Sequence, residues 1–239
     1  MKNLKKTVLV FLLATFTFTV NAQVLITLLL GDALNTPKIE FGLSGGLVHS
    51  YIGTIDNSAG MNTFDLGFYF HLQMKNNSYL STGVHVKSNM GATGMPVYEL
   101  GDVNFDAIYK DGTLTKKIPV FSVPILFHQR FNQRWYIEAG PQLGLLYKET
   151  DIFDAEKLGG DLTFKLDVKD QYKRIDAGLL GGVGYKFNKQ PKSMSAGVSY
   201  YYGLVDVSNN PDYKIKNSAI YFFVKIPIGA TPKEPKENM

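Results

Sequence analysis

The sequence predicts an all-β fold, an eight-stranded antiparallel transmembrane β-barrel with short periplasmic turns and long extracellular loops. Three observations predict it. Eight stretches alternate apolar and polar residues with a period of two, which places successive side chains on opposite faces of a strand. The segments joining them alternate long and short. The apolar parity recurs from stretch to stretch, and an even strand number with tight turns at one end only is the membrane-barrel pattern.

The N-terminus reads as a secretory signal. Lys2, Lys5 and Lys6 precede an apolar run from Thr7 to Val20, and Val20-Asn21-Ala22 offers compact residues for cleavage before Gln23. A second apolar run, Val24 to Leu30, follows. Asn21 and Gln23 interrupt the pair, and neither half reaches the roughly 18 to 20 apolar residues of a spanning helix. The predicted organisation is a signal over 1–22, an apolar leader over 23–37, a barrel over 38–228 and a polar periplasmic tail over 229–239. The leader is suited to capping the periplasmic mouth, lying on the inner leaflet or docking a partner.

Composition narrows the function classes. The chain has no cysteine, which removes a lipid-anchored N-terminal Cys, disulfides and thiolate chemistry. Its formal charge is +4, but loss of three signal lysines leaves 22 Lys+Arg against 21 acids, so the mature chain is near +1. Such a balance gives no electrostatic case for nucleic acid.

The eight strands are expected at 38–50, 62–74, 78–88, 117–131, 135–147, 173–187, 194–204 and 217–228. The second is cleanest, with Phe64, Leu66, Phe68, Phe70 and Leu72 outward against Asp65, Gly67, Tyr69 and His71. In the fourth, Pro119 and Pro124 fall on opposite parities, which predicts a bulge near one of them. The long segment 148–172 carries mixed charge and reads as a solvated loop. Aromatics gather near the ends of the outward face. Phe68, Phe70, Trp135, Tyr185 and Phe187 are expected at one rim, and Tyr147, Tyr200 and Tyr202 at the other, as interfacial girdles. A soluble lipocalin-type barrel would reverse the faces, but Gly178, Gly182, Gly184, Ser195, Gly197 and Ser199 crowd the polar parity and suit a narrow lumen.

Inward parity collects the candidate functional groups: His71, His85 and His128, the acids Glu40, Asp65, Glu138 and Asp176, and the bases Lys87, Arg174, Lys186 and Lys225. A lumen this narrow fills with side chains, and buried charges need partners. The expectation is therefore a neutralised ion-pair plug rather than a catalytic site. Opposed residues of the second and third strands summing to 152 would pair Asp65 with Lys87, and barrel closure would bring Lys225 to Glu40. No HxH or HxxxH spacing marks a metal site and no motif calls for a cofactor. His49 with Ser50 at the outer rim lacks an acid partner for lipid-modifying chemistry.

Several segments resemble a known family. Leu28 to Asn35 (LLLGDALN), Glu40 to Gly46 (EFGLSGG), Ile118-Pro119-Val120 leading to Phe131, and Tyr136 to Pro141 (YIEAGP) resemble the porin-like, PorT-like outer-membrane β-barrel family of Gram-negative bacteria. The resemblance implies an eight-stranded outer-membrane barrel, no established activity for most members, and in one branch an accessory role in protein secretion. The chain departs from common barrels by continuing past Ile228 instead of ending on an aromatic residue. The combined expectation is a non-enzymatic structural, adhesive or surface-binding protein, with a small passive pore or a secretion accessory as alternatives. Its expected partners are outer-membrane lipid and lipopolysaccharide, the barrel-assembly machinery during insertion, and a periplasmic or secretion partner.

Overall fold

A computed structural model describes residues 36–53, 58–157, 159–211 and 213–228. The expected signal, most of the leader and the tail lie outside these residues. The strands are β1 (Ile39–Ile52), β2 (Ala59–Lys75), β3 (Ser78–Met95), β4 (Thr113–Phe131), β5 (Trp135–Leu146), β6 (Thr150–Lys157), β7 (Gly160–Asp167), β8 (Ile175–Lys186), β9 (Ser195–Gly203) and β10 (Asn217–Pro227), with a short helix α1 (Val103–Tyr109) before β4. Strands β3, β2, β1, β10, β9, β8, β5 and β4 are hydrogen-bonded in that order, and β3 pairs β4 to close the ring. The wall is an eight-stranded antiparallel barrel.

Alternation builds that wall. In β5, Trp135, Ile137, Ala139, Pro141, Leu143 and Leu145 are exposed outward, while Tyr136, Glu138 and Gln142 are buried inward. Short turns close one end. Asn76 takes φ 51°, and Asn132 and Gln133 take φ 46° and 62°, the left-handed pair at the centre of a turn in which the Arg134 amide donates to the Phe131 carbonyl. Inward glycine makes room for inward tyrosine: a Cβ on Gly42, Gly178 or Gly184 would run into the ring of Tyr69, Tyr201 or Tyr136.

Three expectations change. Strand β4 keeps one parity across all 19 residues, so neither proline bends it. The irregularity lies instead in its neighbour β3, between His85 and Ser88, where β3 spends one more residue than β4. The strands outgrow the barrel: β3 extends to Met95 and pairs there with Leu114 of β4. Finally, the segment expected to be a solvated loop contains the β6–β7 hairpin, which pairs with β4 from Thr113 to Lys117, above the point where β5 stops.

The hairpin, α1 and the loops around 97–100, 205–211 and 213–215 form a folded crown over the long-loop end. Asp102 caps α1, its carboxylate accepting from the amides of Asn104 and Phe105 at 2.8 and 3.2 Å. Phe153 is fully buried among Tyr98, Tyr109 and Phe164, with ring centroids 5.2 to 6.1 Å apart. This apolar core is continuous with the upper lumen, through Leu114, Ile118, Val120, Leu146 and Met90.

Candidate functional site

The lumen has two parts of opposite chemistry. At the short-turn end, inward positions of β1, β2, β4, β5 and β10 converge on an ionic cluster. The Arg130 guanidinium donates to Glu40 at 2.9 Å, to the ring of His71 at 3.3 Å, to Nε2 of His128 at 3.3 Å and to the Pro191 carbonyl at 2.9 Å. It also lies 4.0 Å from the Tyr79 ring centre. Lys225 donates to both oxygens of Glu138, at 2.9 and 2.8 Å. His128 Nδ1 approaches Glu138 at 3.2 Å, and the Tyr69 hydroxyl donates to Glu40 at 2.9 Å. Lys186 donates to the carbonyls of Gln190 and Pro191, so the turn after β8 folds under the barrel and stoppers it.

Toward the long-loop end the inward face turns apolar, with Val48, Ile52, Met90, Ile118 and Val120 all buried. Between the two parts lies a cavity of about 30 Å³ bordered by Ser44, Asp65, Ser81, Gln142, Ser199 and Tyr221, room for about two water molecules. Asp176, in the upper half, has no cation among the described residues. It accepts from the Tyr201 hydroxyl at 3.0 Å and from the Asn217 amide at 2.8 Å.

Two expected members of the ion-pair network are elsewhere. Lys87 is exposed, because the β3 irregularity after His85 shifts the residues that follow it by one. The predicted sum of 152 holds from Gln73↔Tyr79 to Gly67↔His85 and fails there. Asp65 consequently meets His85 at 2.7 Å instead of Lys87. Arg174 precedes β8 and is exposed. Lys225 stands opposite Ser44, higher in the barrel than Glu40, and takes Glu138 as its partner. The base that takes Glu40 is Arg130, which sequence reasoning passed over although it lies two residues from inward His128 in one unbroken strand.

His71, His128 and Glu138 bring possible ligand atoms within 4.8 Å of one another, a grouping that sequence spacing did not reveal. Glu138 is already held by Lys225 and His128 by Arg130. A metal ion there would have to displace two cations, so the residues present do not fit one. His49 contacts Asn62 at 2.8 Å, with no acid beside it among its bonded partners. On the outer face, Phe68 and Phe70 pack on Phe41, and Trp135, Tyr185 and Phe187 form a run with centroids 4.9 and 6.5 Å apart toward the short-turn end. Tyr147, Tyr200 and Tyr202 are exposed at the other end.

The crown holds a second polar group under its apolar cover. Lys116 donates to Asp151 at 2.7 Å, and the Tyr98 hydroxyl reaches the same oxygen at 3.0 Å. Burial holds the Glu149 carboxyl above its usual range and, with Asp151 nearby, pushes the Tyr172 hydroxyl up as well.

The model of the family described as "Outer membrane protein beta-barrel domain" matches residues 38–209. The chain belongs to that outer-membrane β-barrel family. It is a barrel of the Gram-negative outer membrane, and the short-turn end is periplasmic by the rule such barrels follow. No curated protein matches it significantly. Among solved structures, the barrel is similar to Ail, the attachment invasion locus protein of Yersinia pestis, at 16% identity over 79% of this chain and 97% of that one, with a TM-score of 0.40. Neisserial surface protein A gives 13% identity over 78% and 96%, with a TM-score of 0.39. OprG from Pseudomonas aeruginosa gives 12% identity over 80% and 93%, with a TM-score of 0.37.

Proposed function

We propose that this outer-membrane barrel is a closed, non-enzymatic scaffold whose work is done at the cell surface by its folded crown. One observation carries the reading: the lumen is filled twice over, by the Arg130–Glu40 and Lys225–Glu138 pairs below and by the apolar seal above. A filled lumen leaves no path for solute, whereas the crown places an ordered surface outside the membrane. The lumenal histidines favour a structural role, since each has a ring nitrogen bonded to an acid or to arginine. In this reading the protein's surroundings are outer-membrane lipid and lipopolysaccharide, and the barrel-assembly machinery meets it during insertion.

The test has two parts. Full-length protein in planar lipid bilayers should give no steady conductance, and stable, large channels would make it a pore. Cells carrying a variant that lacks residues 150–167 should keep the folded barrel, read by heat-modified gel migration, and lose attachment to matrix-coated surfaces. A deletion strain that loses secretion rather than attachment would instead favour the accessory role implied by the PorT-like resemblance.

A further inference from the structure

The β6–β7 hairpin leaves one strand edge open. The rising sheet runs β3–β4–β6–β7, and among the described residues nothing pairs with the outer edge of β7. Lys157 and Gly160 close the hairpin around two residues and so form a hydrogen-bonded pair. Alternation from there turns the backbone groups of Asp161, Thr163, Lys165 and Asp167 to the open edge. Their side chains are exposed, Phe164 and Leu166 are partly covered by the crown core, and Leu162 stays 41% exposed. An open edge with its donors and acceptors in step is a template for another strand.

We propose that this edge pairs with the same edge of a second copy of the chain, and that the two copies stand in facing membranes, making the protein a self-recognising cell-to-cell adhesin. The inference rests on the surface role proposed above and names its partner.

Charge selects the second copy. An antiparallel self-pair centred on Thr163 sets Asp161 against the partner's Lys165, twice by symmetry, and sets Leu162 against the partner's Phe164. A pair centred on Phe164 would set Asp161 against the partner's Asp167 and is opposed by like charge. Geometry selects the facing arrangement. Strand β4 is continuous from wall to crown, pairing β5 low and β6 high, so the hairpin extends the wall and its sheet runs along the barrel axis. Two antiparallel copies of one strand are related by a two-fold axis perpendicular to their sheet. That axis lies in the membrane plane, and rotation about it inverts the barrel. The partner must then come from the opposite surface.

Full-length protein in phosphatidylethanolamine–phosphatidylcholine vesicles, crowns outward, provides the test. Two vesicle populations carry donor and acceptor dyes, and clustering is read by energy transfer and light scattering. Wild-type populations should cluster. Asp161→Lys and Lys165→Asp, both exposed, should each lower clustering about tenfold, because two attractive cross-strand pairs become repulsive. Mixing Asp161→Lys vesicles with Lys165→Asp vesicles should restore it, since the two edges are again complementary. Clustering indifferent to both substitutions, or not restored in the mixture, would overturn the edge pairing. Crosslinks confined to copies in one vesicle would overturn the facing geometry. Wild-type vesicles that stay dispersed while cells still attach to foreign surfaces through the crown would reject self-pairing and leave the surface role standing.

Discussion

Where the periplasmic half of the lumen is shut by Arg130, Lys225 and Lys186 against Glu40, Glu138 and turn carbonyls, the extracellular half is shut by Val48, Met90, Ile118 and Val120. The first closure is directional. Each group is satisfied by particular partners, and removing one leaves a charge in a dry interior. The second is non-directional and continuous with the crown core, so its strength follows the apolar area buried. The same barrel therefore has one end that fails by losing a partner and one that fails by losing volume.

The largest expected effect breaks the ionic end. Arg130→Met leaves Glu40 with only the Tyr69 hydroxyl and His71 among its side-chain partners. Stranding a buried charge costs about 3 to 5 kcal/mol, while Arg130→Met combined with Glu40→Gln should recover much of that. Urea unfolding in lipid, followed through the single tryptophan Trp135, measures both. Additive costs would mean that the pair does not act as a unit.

The apolar end should respond differently. Phe153→Ala removes a fully buried ring from the crown, at a cost of about 3 kcal/mol. The loss should be local: protease cleavage between residues 150 and 167 rises while the Trp135 transition stays in place. A shifted barrel transition would show that crown and wall unfold together.

How much of this was legible in sequence follows the same division. Face assignment was readable wherever the period of two ran unbroken, as in β2 and β5. It stopped being readable at the β3 irregularity, because one extra residue reverses the side chains that follow it as far as Ala92, and no composition marks the spot. Lys87 was lost there, and Asp65 took His85. Arg130 was readable, two positions from His128, but Pro119 and Pro124 made the parity of that strand look broken. The crown was hidden for another reason. The residues of β6 and β7 are charged enough to look solvated, and their apolar members Phe153 and Phe164 find a core through Tyr98 and the α1 rings Phe105 and Tyr109, far off in sequence.

A smaller effect separates the two faces of the wall. Gly184→Ala drives a methyl group into the Tyr136 ring, and overpacking of this kind costs about 1 to 3 kcal/mol. Gly181→Ala meets nothing closer than the Glu138 carbonyl at 3.9 Å and should be close to neutral. Equal effects in the same urea assay would mean that lumenal packing is not tight.

The smallest effect concerns the crown's polar group and its sign against pH. Burial raises the Glu149 carboxyl above its usual 4.5, so the folded crown holds that proton more firmly than the unfolded chain does. Below about 4.5 both states carry the proton and Glu149 imposes no penalty. As pH climbs from there toward the raised folded value, the unfolded chain releases its proton first and crown stability falls. Above that value the penalty levels off. Glu149→Gln removes the titration, so the variant crown should resist protease better than wild type at neutral pH and equally at pH 4. The barrel transition should not move, because Glu149 lies between β5 and β6, above the ring. A variant less resistant than wild type at neutral pH would show that Glu149 is held charged by its backbone hydrogen bond, with Lys169 and Arg174, against the burial. The crown's second polar group would then resemble the ionic plug below it more than the apolar seal around it.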